Sequence, residues 1–375
     1  MQTRQEWFLG FLGQENTQFT IPVYQRAYAW GKNQCEELWG DVLRAGEQGV
    51  SHFMSMALYL EAGTAPEGVR QLDVIDGQQR IATMTILLAA FRDFLRESGA
   101  SVGGTDAALI QERYLTVGPE GAKQTKICLI GPDKATLESV VFGTEPPKRA
   151  SRHVLDNRSY FRSLMDAEWF DPELFWAGVG KLLVIAAQLD EGDKAQTIFE
   201  GLNTKGIPLT AADLMRNYLL VAETREEQQR LYLEYWQPME IMFEDDLLSS
   251  GSLKLNTGLR MWLAIRFKKM CISDRDRTYY YFKLYMETEY DGTTEELLDE
   301  LRSFCYLWAE NYKCNEGRNH CSRFDWAKRG KKKTLVPPMS RSCDVASVAR
   351  AARAQMIREG NDAASLLPTF HRGLI

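Results

Sequence analysis

The stretch Val74-Ile75-Asp76-Gly77-Gln78-Gln79-Arg80 runs without a break into the apolar segment Ile81 to Phe91. That order predicts a buried strand, a polar turn and a long interior helix. Leu72, Val74 and Ile75 are apolar and mostly branched, as a half-buried strand requires. Gly77 can take a backbone conformation closed to other residues. Asp76 is then expected at the helix N-cap, with the free N–H groups of the first turn and the Arg80 guanidinium beside it. A helix start of this kind suits a phosphate or another anion. Two readings stand at this point: Asp76 caps the helix and Arg80 reaches out to solvent, or the two form part of a binding site.

At 375 residues the chain is too long for one ordinary core, so more than one domain is expected. No run of about 18 uncharged apolar residues occurs, and Met1 to Glu6 lacks a signal-peptide pattern, which predicts a cytoplasmic protein. Seven cysteines without a Cys-x-x-Cys pair fit reduced thiols, and four histidines argue against a His-rich metal centre. Residues 311–375 hold 13 Lys+Arg against 5 Asp+Glu, a net +8, so with −6 overall the preceding 310 residues carry −14. Bulk attraction for nucleic acid is therefore absent from the main body, and any contact there needs a local cleft.

In chain order, residues 6–12 read as a short apolar helix leading into the extended segment Phe19 to Pro22. Val23-Tyr24-Gln25-Arg26-Ala27-Tyr28-Ala29-Trp30 follows, with two tyrosines, a tryptophan, an amide and a guanidinium suited to stacking on a ring and bonding its edge or phosphates. The alternative places Tyr28 and Trp30 in the core and Tyr24 on the surface. Asn33 to Arg44 is an amphipathic helix. Phe53 to Leu60 is a strand that a Gly/Pro turn can pair with the strand ending at Asp76. Asp106 to Tyr114 and the segment from His153 read as helices, and Gln124 to Ile130 and Leu182 to Leu189 as strands, the last joining the N-terminal sheet from far away in sequence. Thr210 and Asp213 have nearly the spacing of a capping box. Asn203, in the turn before them, either closes that turn or points into a cleft. Residues 224–313 carry four helical periodicities, with Trp236, Trp262, Tyr279 to Phe282 and Trp308 as expected core. From Cys314 the character changes to a basic, weakly periodic tail.

Three stretches, Ile21 to Arg26 with Tyr28 and Trp30, Ile75 to Arg80, and Phe199 to Gly206 through Leu209 and Asp213-Leu214, occur in the order of one family. Over about residues 5–310 the chain resembles the N-terminal domain of GmrSD-type, modification-dependent restriction endonucleases, relatives of the ParB/sulfiredoxin fold. The resemblance implies an α+β fold: a ParB/sulfiredoxin-like domain with a small mixed sheet over 1–222, an all-helical domain over 223–313 and an atypical tail over 314–375.

It also implies roles. Asp76, Gln79 and Arg80 would be catalytic; Gly77, Gln78, Arg80 and Asn203 would bind a nucleoside triphosphate (NTP); and Asp76 would hold Mg²⁺. Tyr24, Gln25 and Arg26 would read DNA carrying a modification. Chemically, Arg80 can neutralise a phosphate, Gln79 can orient a water and Asp76 can bind the metal or polarise that water. No Gly-x-x-x-x-Gly-Lys-Ser/Thr loop is present. No His-rich nuclease motif matches after residue 310, so the implied role is an NTP-hydrolysing sensor in a phage-defence restriction system, with a separate HNH-type nuclease subunit as partner. A ParB-like nucleotide-gated DNA-binding module without turnover, or an inactive remnant, are the alternatives.

Overall fold

A computed structural model describes residues 1–65, 68–190, 208–244, 251–266 and 275–315 of the chain. Asn203 and nearly all of the basic tail lie outside the described residues. The chain divides into two units, Met1–Pro208 and Leu209–Ile375. It is an α+β protein. Among the described residues no helix is long and apolar enough to cross a membrane.

The first unit is built on a mixed six-stranded sheet. Its strands are β1 (Gln2–Trp7), β2 (Thr17–Thr20), β3 (His52–Thr64), β4 (Arg70–Asp76), β7 (Ile127–Cys128) and β8 (Leu182–Gln188). β5 (Thr116–Val117) and β6 (Gln124–Thr125) form a separate pair. The six run in the order β1-β8-β3-β4-β2-β7. β3 and β4 pair antiparallel as the expected hairpin, and β8 enters between β1 and β3. β2 lies parallel to both β4 and β7, with Thr20 beside Asp73 and Cys128. Three neighbouring strands thus deliver their C-terminal ends to one edge of the sheet.

Side chains alternate across a strand, and one set faces the core. Leu182, Val184 and Ala186 of β8, Ala57 and Tyr59 of β3, and Leu72 and Val74 of β4 belong to that buried cluster. The helices α1 (Phe8–Leu12), α2 (Lys32–Gln48), α3 (Gln78–Ser98), α4 (Ala107–Ile110), α5 (Gly131–Phe142), α6 (Arg152–Met165) and α7 (Pro172–Val179) supply the rest. α3 is buried along most of its length, as its apolar sequence requires.

The second unit is helical over its described residues: Ala211–Leu220, Arg225–Leu231 continuing through a π turn into Gln237–Glu244, Gly251–Arg266, Arg275–Thr288 and Thr294–Asn315. Trp236, Trp262, Phe282, Leu301 and Phe304 are buried there. Tyr280, expected in that core, is 62% exposed. Consecutive helical residues turn by about 100°, so the run Tyr279 to Phe282 cannot face one side together. Thr210 and Asp213 form the capping box, each side chain bonded to the other's backbone N–H at 3.2 and 2.9 Å. Asp213 also pairs with Arg216, a buried cation that Glu240 holds from the other side.

Candidate functional site

The C-terminal ends of β4, β2 and β7 lead into residues 76–80, 21–30 and 129–133, which come together above the sheet edge. At the first of these, the helix N-cap is Gly77 and not the expected Asp76. Gly77 has φ +89°, and a Cβ on it would lie 2.7 Å from the Met56 carbonyl oxygen. The left-handed glycine therefore turns the chain against β3 and leaves Asp76 one residue outside the helix. Asp76 receives the Gly77 N–H instead of capping the next turn.

Burial pushes the Asp76 carboxyl above its ordinary value, while the Gly77 N–H, Arg80 and Arg26 pull in the opposite direction. The carboxylate thus lies within the field of two guanidinium groups from segments fifty residues apart, the convergence expected from the parallel strands. Arg80 is half-buried, with its guanidinium carbon 5.6 Å from the centre of the Trp30 ring. Among the described residues it makes no hydrogen bond and no ion pair. Its five N–H donors stay available.

The amides nearby are otherwise engaged. Gln25 is buried and donates to the Ile75 carbonyl at 3.0 Å, while Gln78 donates to Gln25 at 3.2 Å. Gln79 accepts the Ala29 N–H at 2.8 Å and donates to the Ala27 carbonyl at 3.2 Å. Both ends of that amide hold the backbone of residues 27–29, which is a different use from orienting a water. Tyr24 is 5% exposed and Gln25 1%, so of the three residues expected to read DNA only Arg26 has a part-exposed side chain.

A small, partly open cleft adjoins Arg26, lined by Gln78, Gln79, Tyr28 and Asp133 with Ile21, Ala82, Leu129 and Ile130. Asp133 is a site residue that sequence reasoning missed. It follows Gly131 and Pro132 in the first turn of α5, and a Gly-Pro pair just after a strand is the signal that could have marked a helix start there. Its carboxylate accepts the Tyr28 N–H at 2.6 Å. Burial raises its pKa, opposed by bonds from Ser151 and Tyr28 and by His153. Among the described residues no cluster of three or more His, Cys, Asp or Glu side chains could hold a metal ion. A divalent cation here would rest on Asp76 and on ligand oxygens, an all-oxygen set that suits Mg²⁺.

Helix N–H groups, one uncommitted guanidinium, a second acting on the same carboxylate, and that carboxylate as a ligand for a hard cation are the kinds of group that bind a phosphate. The architecture is that of an α+β domain built on a mixed six-stranded sheet. The family model for the N-terminal domain of GmrSD restriction endonucleases matches residues 8–220, and the chain belongs to that family. Membership associates it with DNA restriction. Comparison with curated proteins gives no match.

Proposed function

We propose that the chain binds a nucleoside triphosphate with Mg²⁺ at the start of α3, hydrolyses it, and uses that cycle to control a modification-dependent restriction system. The observation that carries this reading is Arg80 at the start of α3, 5.6 Å from the Trp30 ring and left without hydrogen bond or ion pair among the described residues, with the charges of Arg80 and Arg26 both favouring the ionised Asp76. Arg80 would bind the phosphate, the first-turn N–H groups would share its charge, and Asp76 would hold the metal. A bound Mg²⁺ would offset the charge of the phosphate. Gln79 acts here as a backbone clamp that holds residues 27–29. Direct contact with DNA from this segment rests on Arg26, with Tyr24 and Gln25 placing it. Cutting falls to a separate HNH-type nuclease subunit.

One observation favours a second reading. Because both ends of the Gln79 amide are tied to backbone, the group expected to orient the attacking water is committed, which suits a nucleotide-gated DNA-binding module without turnover. Incubating the purified chain with each NTP and Mg²⁺, with and without modified DNA, separates the two. Phosphate release supports hydrolysis; saturable binding without release supports the gate. Failure to bind any NTP under either condition contradicts both.

A further inference from the structure

The loop over which Arg80 lies is fixed by a hydrogen-bond chain that starts on a different helix. Asn157, in the middle of α6 and 2% exposed, donates from Nδ2 to the Tyr28 hydroxyl and to the Trp30 carbonyl, both at 2.8 Å. Both hydrogens of the amide are used. The Tyr28 hydroxyl is 2.7 Å from Thr83 Oγ1, and Thr83 donates to the Gln79 carbonyl at 2.8 Å. The Tyr28 hydroxyl, which the Cys35 thiol also meets, thus links Asn157 through Thr83 to the first turn of α3. Such a chain strengthens each of its bonds. Its second arm ends on Trp30, whose ring faces the Arg80 guanidinium.

We infer that Asn157 is a positioning residue for the anion site, holding Trp30 so that its ring orients Arg80 toward a bound phosphate. This rests on the nucleotide reading above, and it adds a residue that touches neither phosphate nor metal. Other bonds hold the loop at neighbouring points, Tyr28 N–H to Asp133 and Ala29 N–H to Gln79. At the Trp30 carbonyl, Asn157 is the donor among the described residues. The Asn157→Asp substitution keeps the volume but loses the amide N–H that donates to the Tyr28 hydroxyl. It cannot donate to Trp30, and it sets a carboxylate oxygen against that carbonyl.

The test uses the full chain labelled with 5-fluorotryptophan, the Trp30 line being identified by its loss in Trp30→Phe. In nucleotide-free Asn157→Asp, the Trp30 ¹⁹F line should shift or broaden while the lines of the other eight tryptophans hold. The KM for the hydrolysed NTP should rise about tenfold with kcat within about threefold, since a displaced cation–π partner weakens anion binding first. A stationary Trp30 line with unchanged KM in the folded variant would overturn the proposal. Movement of every line would signal lost folding, and Asn157→Ala, which removes the same donor to the Trp30 carbonyl without adding a charge, then decides: its Trp30 line must move alone. If the wild-type chain uses no nucleotide, the functional reading fails, and the ¹⁹F comparison still settles whether Asn157 holds Trp30.

Discussion

The two ends of α3 treat arginine in opposite ways. Arg92, 1% exposed, has its donors filled: Asp93 takes Nε and Nη2 at 2.9 and 2.8 Å, the Val140 and Val141 carbonyls lie at 3.0 and 2.5 Å, and Gln111 adds a fourth acceptor. Asp93 is in turn held by Arg158 and Arg96. Burial lowers the Arg92 pKa, with the adjoining carboxylate acting in the opposite sense. Arg80, about three turns earlier by helical pitch, keeps a ring on one face and no acceptor among the described residues. A cation that serves the fold is saturated by the fold, because an unpaired buried donor is costly. A cation left unsaturated at the edge of a sheet is available to a ligand.

The largest effect that could break this contrast is in stability. Arg92→Leu strands two backbone carbonyls, a Gln111 oxygen and part of Asp93, and should lower unfolding free energy by about 3–5 kcal/mol in denaturant titration. A loss under about 1 kcal/mol would show that the saturated end is not structural. Next is Gly77→Ala, which must hold φ +89° with a Cβ against the Met56 carbonyl. It should cost about 1–3 kcal/mol and displace Asp76, with turnover falling along with Tm.

Asp76→Asn is expected to be smallest in stability. Folding raises this pKa from 3.8, so the native state holds the proton more tightly than the unfolded chain. Protonation therefore favours the fold, and that contribution is lost as pH rises from 3.8 through the raised native value. Above both values it is constant. Asn, uncharged throughout, removes this dependence, so the variant's Tm at pH 7 should equal or exceed that of wild type while turnover is lost. A clear drop in Tm at pH 7 would assign Asp76 a structural role.

What could be read from sequence follows from whether the signal is local. The strand-turn-helix around Asp76, the β3–β4 hairpin and the distant arrival of β8 rest on contiguous apolar patterns, and they fold as expected. β1 was invisible: Gln2–Trp7 is an edge strand, polar and mostly exposed, with no alternation to reveal it. The N-cap shifted by one residue because the close approach of Met56 to Gly77 is a tertiary fact. The burial of Tyr24 and Gln25 is of the same kind, since the acceptor of the Gln25 amide is a carbonyl fifty residues away. Asn157 carries no motif, and only the backbone it reaches, 127 residues earlier, gives it a role. The meeting of Arg26 with Asp76 and Arg80 was foreseeable by a different route, from two apolar strands that each end in a polar stretch.

The claim that Arg80 is kept for a ligand is tested most directly by measuring Tm and NTP turnover on the same preparation of Arg80→Ala. The account predicts a Tm within about 2 °C of wild type, as expected when no hydrogen bond or ion pair among the described residues is removed, together with loss of NTP hydrolysis and of NTP binding. Wild-type turnover in a folded Arg80→Ala protein would contradict it.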